Sequence, residues 1–377
     1  MGRMGRFNCI LTALLMSVLL CGCNVNISQP GEKSAPVSEP QEDTNTAEDV
    51  KEGEQTKESE LGDTFLGKTT PPAEEPAEEE EEEEPKDDRS VDLIMFMGQS
   101  NMSGAAGDAS LAPHVSEEAG MEFRAISDPT TLYPVTEPFG INENNPTGLY
   151  EYPGAKKGSL VSAFIDEYHR LTGRKVIAVS ASMGATDTNV WASPGVAADV
   201  KQRYDLALNY LRSNGYNVEH IYALWLHGES DAIEGTDPEV YRTQLDNIMR
   251  PLFIDGLQKV FVITPGRTID YRDIFLDMIN MQKKICEESG YYALATTVLT
   301  KVSTEYMRDQ FHYNQHVLNL VGTESAKAVA YFTLHKEEKI IYDYREGKYI
   351  VPEGVDEDSQ DKEEPLDLSE MNIDEVY

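Results

Sequence analysis

The chain has 377 residues, with 32 Lys and Arg against 67 Asp and Glu, and a formal net charge of -35. That much acid repels polynucleotides and anionic headgroups, which argues against a nucleic-acid partner. The acid is concentrated at the ends: residues 1–90 hold 22 acidic and 8 basic side chains, and residues 351–377 hold 11 and 1.

The chain opens with Arg3 and Arg6, followed by the apolar stretch "CILTALLMSVLL" (9–20) and then "LCGC" (20–23). This stretch is shorter than the roughly 20 residues a spanning helix needs, and its flanks fit an export signal over 1–23. The Leu-x-Gly-Cys order resembles a bacterial lipoprotein signal. That resemblance implies lipidation of Cys23, removal of Cys9 and Cys21, and a protein anchored at the bacterial surface by lipid, without a transmembrane span. Only Cys286 then remains besides Cys23, so the mature chain can form no internal disulfide. Cys286 lies in a helix-like stretch and reads as a packing residue. Residues 24–90 are rich in Pro, Glu, Thr and Lys and lack apolar periodicity, the pattern of a disordered acidic linker.

Residues 91–350 carry the folded part. Short apolar runs read as buried strands: "VDLIMFM" (91–97), "KVIAVSAS" (175–182), "HIYALWL" (220–226), "KVFVIT" (259–264) and "YYALATTV" (291–298). Amphipathic stretches alternate with them at 159–173, 197–215, 237–253 and 272–290, and a last one covers 314–335. The alternation predicts an α/β fold with about five parallel strands. Gly173, Gly215 and Gly290 sit where helix C-caps belong. Residues 104–158 show no clear period and many turn residues, so they read as a long loop region. Residues 339–351 read as a short edge hairpin, and 351–377 as an acidic, mostly disordered tail.

Three strand ends carry unusual polar groups: Gly98-Gln99-Ser100-Asn101-Met102, then "SMGATDTNVW" (182–191), then "LHGESD" (226–231). "DQFHYNQH" (309–316) precedes the last helix. In an open parallel sheet these blocks meet at the carboxyl edge, where ligands bind. A hydroxyl nucleophile needs a base, and the base needs an orienter. Asp309 and His312, three residues apart, can turn to one side, with Asp309 accepting the Nδ1–H and Nε2 left to take a proton from Ser100. The Ser100 backbone N–H, and that of Gly184, which has no side chain to block it, would form an oxyanion hole.

In order and spacing these blocks resemble the SGNH-type esterases, and within them the sialate O-acetylesterase-like and acetylxylan-esterase-like branch, over roughly 91–335. The resemblance implies a three-layer, flavodoxin-like sheet with helices on both faces. It implies Ser100 as nucleophile, His312 as base, Asp309 as its orienter and Gly184 as an oxyanion donor, with no metal and no cofactor. The substrate implied is an acetylated carbohydrate. Family members often carry Gln where this chain has His227, so an oxyanion role for His227 rests on one imidazole hydrogen bond. Gln99 and Asn101 would help hold the oxyanion or the loops around it. Glu229 and Asp231 would fix loops near the nucleophile, or serve as cap or buried hydrogen-bond partners. Trp191, next to the site, would offer an aromatic face to a sugar ring or belong to the core, as Trp225 does. His316 reads as a packing or helix-surface residue, and His114, His169, His220 and His335 as structural. A glycan-binding lipoprotein without turnover and a lipase of the same superfamily are the two alternatives.

Overall fold

A computed structural model describes residues 89–368. The leader, Cys23, the linker up to residue 88 and residues 369–377 lie outside the described residues.

Five strands form where the apolar runs placed them: β1 (Ser90–Gly98), β4 (Lys175–Ser182), β5 (Asn217–Leu226), β6 (Lys259–Ile263) and β7 (Tyr292–Thr296). Two more arise in the region read as loop, β2 (Gly120–Phe123) and β3 (Leu132–Pro134). The sheet order is β3-β2-β4-β1-β5-β6-β7, parallel throughout except for β3, which is antiparallel to β2. Counted over the five expected strands, this is the flavodoxin-like order 2-1-3-4-5, whose switch point lies beside the first strand. At four and three residues, β2 and β3 are too short to show an alternation of their own.

The sheet separates two apolar layers. Ile94 and Phe96 of β1 point into a layer shared with α2 (Val161–Thr172) and α8 (Gln315–His335). Leu93, Met95 and Met97 point the other way, towards α4 (Pro194–Ser213), α6 (Pro238–Ile254) and α7 (Leu276–Glu288). Burial on both faces is why β1 reads as a continuous apolar run. Helix starts follow capping chemistry: Asp237 accepts from the Glu239 N–H ahead of Pro238, and Asn314 accepts from the Val317 N–H. The Ser193–Pro194 start puts the beginning of α4 three residues ahead of the sequence boundary. Gly173 caps α2 in the left-handed conformation, whereas α7 ends in extended backbone at Ser289, so Gly290 is not its cap.

The edge hairpin forms as β8 (Ile341–Asp343) and β9 (Lys348–Ile350). The segment after it has no helix or strand up to residue 368, but it lies against the domain. Leu368 is buried, and Gln360 accepts from the Ile340 N–H while donating to Glu337 and to the Glu338 carbonyl. Composition suggested a disordered tail because two apolar residues and one amide are a weak signal among so many acids.

Candidate active site

The register aligns the ends of three strands. Gly98, the last residue of β1, lies beside Ser182 of β4 and Leu226 of β5. Gly98 has φ of 145°, and a Cβ there would stand 2.0 Å from the Leu226 carbonyl oxygen. Only glycine fits this turn. The Gln99 N–H donates to the same carbonyl at 3.0 Å. The Gln99 side-chain oxygen accepts from the N–H groups of Gly228 and Ser230, at 3.4 and 3.3 Å. Gln99 thus ties the Ser100 turn to the start of α5 (Glu229–Glu234).

Ser100 begins the short helix α1 (Ser100–Ser103) at the edge of the buried interior. Asn101 binds the segment that carries His312. Its Nδ2 donates to the Phe311 carbonyl at 3.1 Å, and its Oδ1 accepts from the Tyr313 N–H at 3.4 Å. These two bonds bracket His312. The same Nδ2 donates to Glu229 Oε1 at 2.9 Å. Glu229 is fully buried, and burial raises its pKa, against the lowering effect of the Asn101 hydrogen bond. Gln99, Asn101 and Glu229 are therefore supports that fix the Ser100 turn and the His312 segment relative to each other.

His312 and Asp309 meet as their spacing predicts. His312 Nδ1 lies 2.8 Å from both Asp309 carboxylate oxygens. Asp309 Oδ1 also accepts from the N–H groups of Phe311 and His312, at 2.9 and 3.0 Å. Partial burial would raise the Asp309 pKa, but the His312 hydrogen bond and these backbone donors hold it below the usual carboxylate range. Asp309 is thus ionised and held in place to orient the imidazole.

Gly184 follows β4 and faces Ser100: a Cβ on it would lie 3.3 Å from the Ser100 Cβ. Its N–H does not stand open. It donates to Glu151 Oε1 at 2.5 Å, and Ser103 Oγ donates to the same oxygen at 2.6 Å. Glu151 belongs to the region without a period, and no motif marks it. Close by, Lys156 Nζ contacts the hydroxyls of Ser180 and Ser182, at 3.2 and 3.0 Å. Burial brings the Lys156 pKa down to about 8, although the Glu151 carboxylate pulls it up.

Asp231 anchors the turn after β4. It accepts from Thr188 Oγ1 at 2.6 Å and from the Thr188 N–H at 3.0 Å, fixing α3 (Thr188–Trp191) against α5. Trp191 and His227 both lie in the interior. Trp191 is fully buried, edge-on to Trp225 with ring centroids 5.0 Å apart, and donates from Nε1 to Thr186 Oγ1. It is a core residue and presents no face to a sugar. His227 is also fully buried, stacked on Trp225 at 4.7 Å and edge-on to Trp191 at 5.7 Å. Burial brings its pKa down to about 3, so the ring is neutral. It packs within this aromatic layer, with Nδ1 3.5 Å from Asp231 Oδ2. His227 directly follows β5 in step with Ile221, Ala223 and Trp225, which belong to the same apolar layer, while four-residue α3 is too short to show a period for Trp191.

The family model for carbohydrate esterases described as sialic acid-specific acetylesterases matches residues 90–331. The chain belongs to that family. No curated protein sequence matches the chain. Among solved structures, it is similar to a protein from Arabidopsis thaliana, with 16% identity and a TM-score of 0.46, covering 63% of this chain and 96% of that one. It is also similar to a carbohydrate acetylesterase from Xanthomonas citri, with 15% identity and a TM-score of 0.40, covering 64% and 57%. A catalytic mutant of an acetylxylan esterase from Geobacillus stearothermophilus matches at 10% identity and a TM-score of 0.36, covering 63% and 92%. Family membership makes this esterase chain a carbohydrate esterase.

Proposed function

We propose that this carbohydrate esterase removes O-acetyl groups from sugars through Ser100, His312 and Asp309. The observation that carries the reading is the Asn101 clamp, which holds the Asp309–His312 pair against the turn that bears Ser100. His312, oriented by Asp309, takes the Ser100 proton as Oγ attacks the acetyl carbonyl. The backbone N–H groups of Ser100 and Gly184 receive the negative charge that develops on the acyl oxygen. His312 then returns the proton to the departing sugar oxygen, and water hydrolyses the acetyl-enzyme by the reverse route. None of these steps calls on a metal or a cofactor. The leader and Cys23 support the further reading that the enzyme is exported and held at the bacterial surface by lipid, with its acetylated substrate outside the cell.

Purified protein assayed on p-nitrophenyl acetate, and for acetate release from acetylated xylo-oligosaccharides and O-acetylated sialic acid, tests this. Ser100→Ala is expected to reduce turnover by several orders of magnitude, with an unchanged circular dichroism spectrum. Near-normal hydrolysis by Ser100→Ala rejects the mechanism.

A further inference from the structure

The donor that an acyl oxygen needs is already occupied by the protein itself. Glu151 Oε1 accepts from the Gly184 N–H at 2.5 Å and from Ser103 Oγ at 2.6 Å. A Cβ on Gly184 would stand 3.2 Å from that oxygen and 3.3 Å from the Ser100 Cβ, so the carboxylate and the nucleophile flank the same glycine. A carboxylate oxygen on a backbone N–H beside a serine has the charge and position of the oxyanion formed during acyl transfer.

The side chain is aimed there by its own backbone. The Glu151 N–H donates to Asn144 Oδ1 at 2.8 Å, and Asn144 Nδ2 donates back to the Glu151 carbonyl at 2.9 Å. The next residue on either side is exposed: Tyr150 and Tyr152 stand out at the surface, 6.4 Å apart edge to face. Glu151 is itself buried, on a strap held by the Asn144 pair and by the Leu149 N–H, which donates to Asp199 at 2.8 Å, with the two tyrosines at the surface. Lys156, lying on the β4 hydroxyls, adds attraction that favours the inward position. The residue after Gly184, Ala185, has φ of 55°, a conformation that side-chain-bearing residues rarely adopt. The Met183 carbonyl, which shares a peptide plane with the Gly184 N–H, accepts from Thr186 Oγ1 at 2.7 Å, and this bond holds the direction in which that N–H points.

We propose that Glu151 caps the oxyanion donor of the unliganded enzyme, so that an acyl group binds only by displacing the Glu151 carboxylate from Gly184. This rests on the reading of Ser100 as the nucleophile. The cap competes with the ester for one N–H and is absent from the productive complex. It therefore lowers the fraction of enzyme able to bind and raises KM, while kcat is set by the uncapped state. It also sets specificity: a neutral acetyl oxygen must win the donor from a carboxylate, whereas product acetate, itself an anion, must take the place of a like charge. The cap thus works against retention of acetate.

The test uses the full chain with Glu151→Ala and Glu151→Gln. Glu151→Ala is expected to lower KM for p-nitrophenyl acetate by roughly ten-fold or more, the scale of one hydrogen bond to a charged group, with kcat held. Acetate, titrated calorimetrically and as a competitive inhibitor, is expected to bind Glu151→Ala more tightly than wild type, because the vacated donors accept its carboxylate. Glu151→Gln keeps the shape and a neutral acceptor, so its KM and acetate affinity should fall between the two. It decides the matter if the alanine variant melts early. An unchanged or raised KM, a fall in kcat, or acetate affinity equal to wild type would overturn the cap while leaving the nucleophile assignment intact. Hydrolysis that survives Ser100→Ala would overturn both.

Discussion

Asn101 shows how one side chain can hold a site together. It sits beside Ser100, yet its amide reaches Phe311 and Tyr313 on either side of His312 and also carries the buried Glu229. Asn101→Ala is expected to lower kcat by roughly ten- to a hundred-fold through misplacement of the imidazole, with KM changed little because the substrate is not its partner. Steady-state kinetics on an acetyl ester check this; a KM effect with intact kcat would instead assign Asn101 to substrate binding. The candidate set was legible in sequence because hydroxyl, imidazole and carboxylate stand in short, ordered blocks. Asp309 and His312 even lie within one turn of chain. Trp191 and His227 were not legible in this way: an aromatic ring beside a site serves a sugar or the core equally well, and only burial decides. Glu151 could not be found at all, since its partner Gly184 is 33 residues away and nothing in "GLYEYPG" has a period or a motif.

At the scale of elements, β1 is fixed at both ends. Its carboxyl end is held by Gly98 and Gln99 against β5. Its amino end is held by Asp92, which is fully buried. Asp92 accepts from Arg174 at 2.6 and 2.8 Å and from Tyr168 of α2 at 2.6 Å, and its Oδ1 lies 2.8 Å from His220 Nδ1 of β5. The histidine set aside as structural is thus one arm of this knot. Burial alone would raise the Asp92 pKa, but the His220, Arg174 and Tyr168 hydrogen bonds outweigh it and hold it below its ordinary value. A depressed carboxyl pKa contributes stability above the unfolded-state value of about 3.9, and that contribution is lost as the pH falls through the folded value. Asp92→Asn, which leaves Arg174 without its buried partner, is expected to cost about 3–5 kcal/mol at pH 7. The gap to wild type should shrink below about pH 4. Urea midpoints at pH 7 and pH 3 measure it, and a gap of equal size at both would show that the charge of Asp92 does not matter. The knot was invisible in sequence because Asp92, inside an apolar strand, acquires meaning only when α2 and β5 arrive from 76 and 128 residues away.

At the scale of the whole molecule, the five-strand order followed from the alternation of apolar runs and helices, since long apolar runs are read equally well in sequence and in space. The extension by β2 and β3 and the docking of residues 352–368 did not follow, because each depends on a few residues that are apolar or polar only in company. The docked segment gives the last prediction. Leu368 is buried in the layer that holds Tyr344 and Val302, and the Gln360 amide is shared among Ile340, Glu337 and Glu338. Glu363 also pairs with Lys327 and Lys339, but at a half-exposed carboxylate such pairs contribute little. Burial of one leucine and of one satisfied amide together contribute about 2–4 kcal/mol. A chain ending at Val351 is therefore expected to melt several degrees lower than the full chain, by roughly 2–4 °C per kcal/mol for a domain of this size. Because apolar burial and a buried amide are insensitive to screening, the deficit should persist at 1 M salt, about where the Debye length falls to roughly 3 Å. The side-chain bonds of Gln360 and Glu363 go to Ile340, Glu337, Glu338, Lys327 and Lys339, so kcat on an acetyl ester should match the full chain at temperatures where both are folded. Melting curves at low and high salt, with kinetics on the same samples, measure the two effects separately. An unchanged melting point would mean that the segment lies on the surface without stabilising it, and a deficit that vanishes in salt would mean that the Glu363 pairs, not Leu368 and Gln360, hold it there.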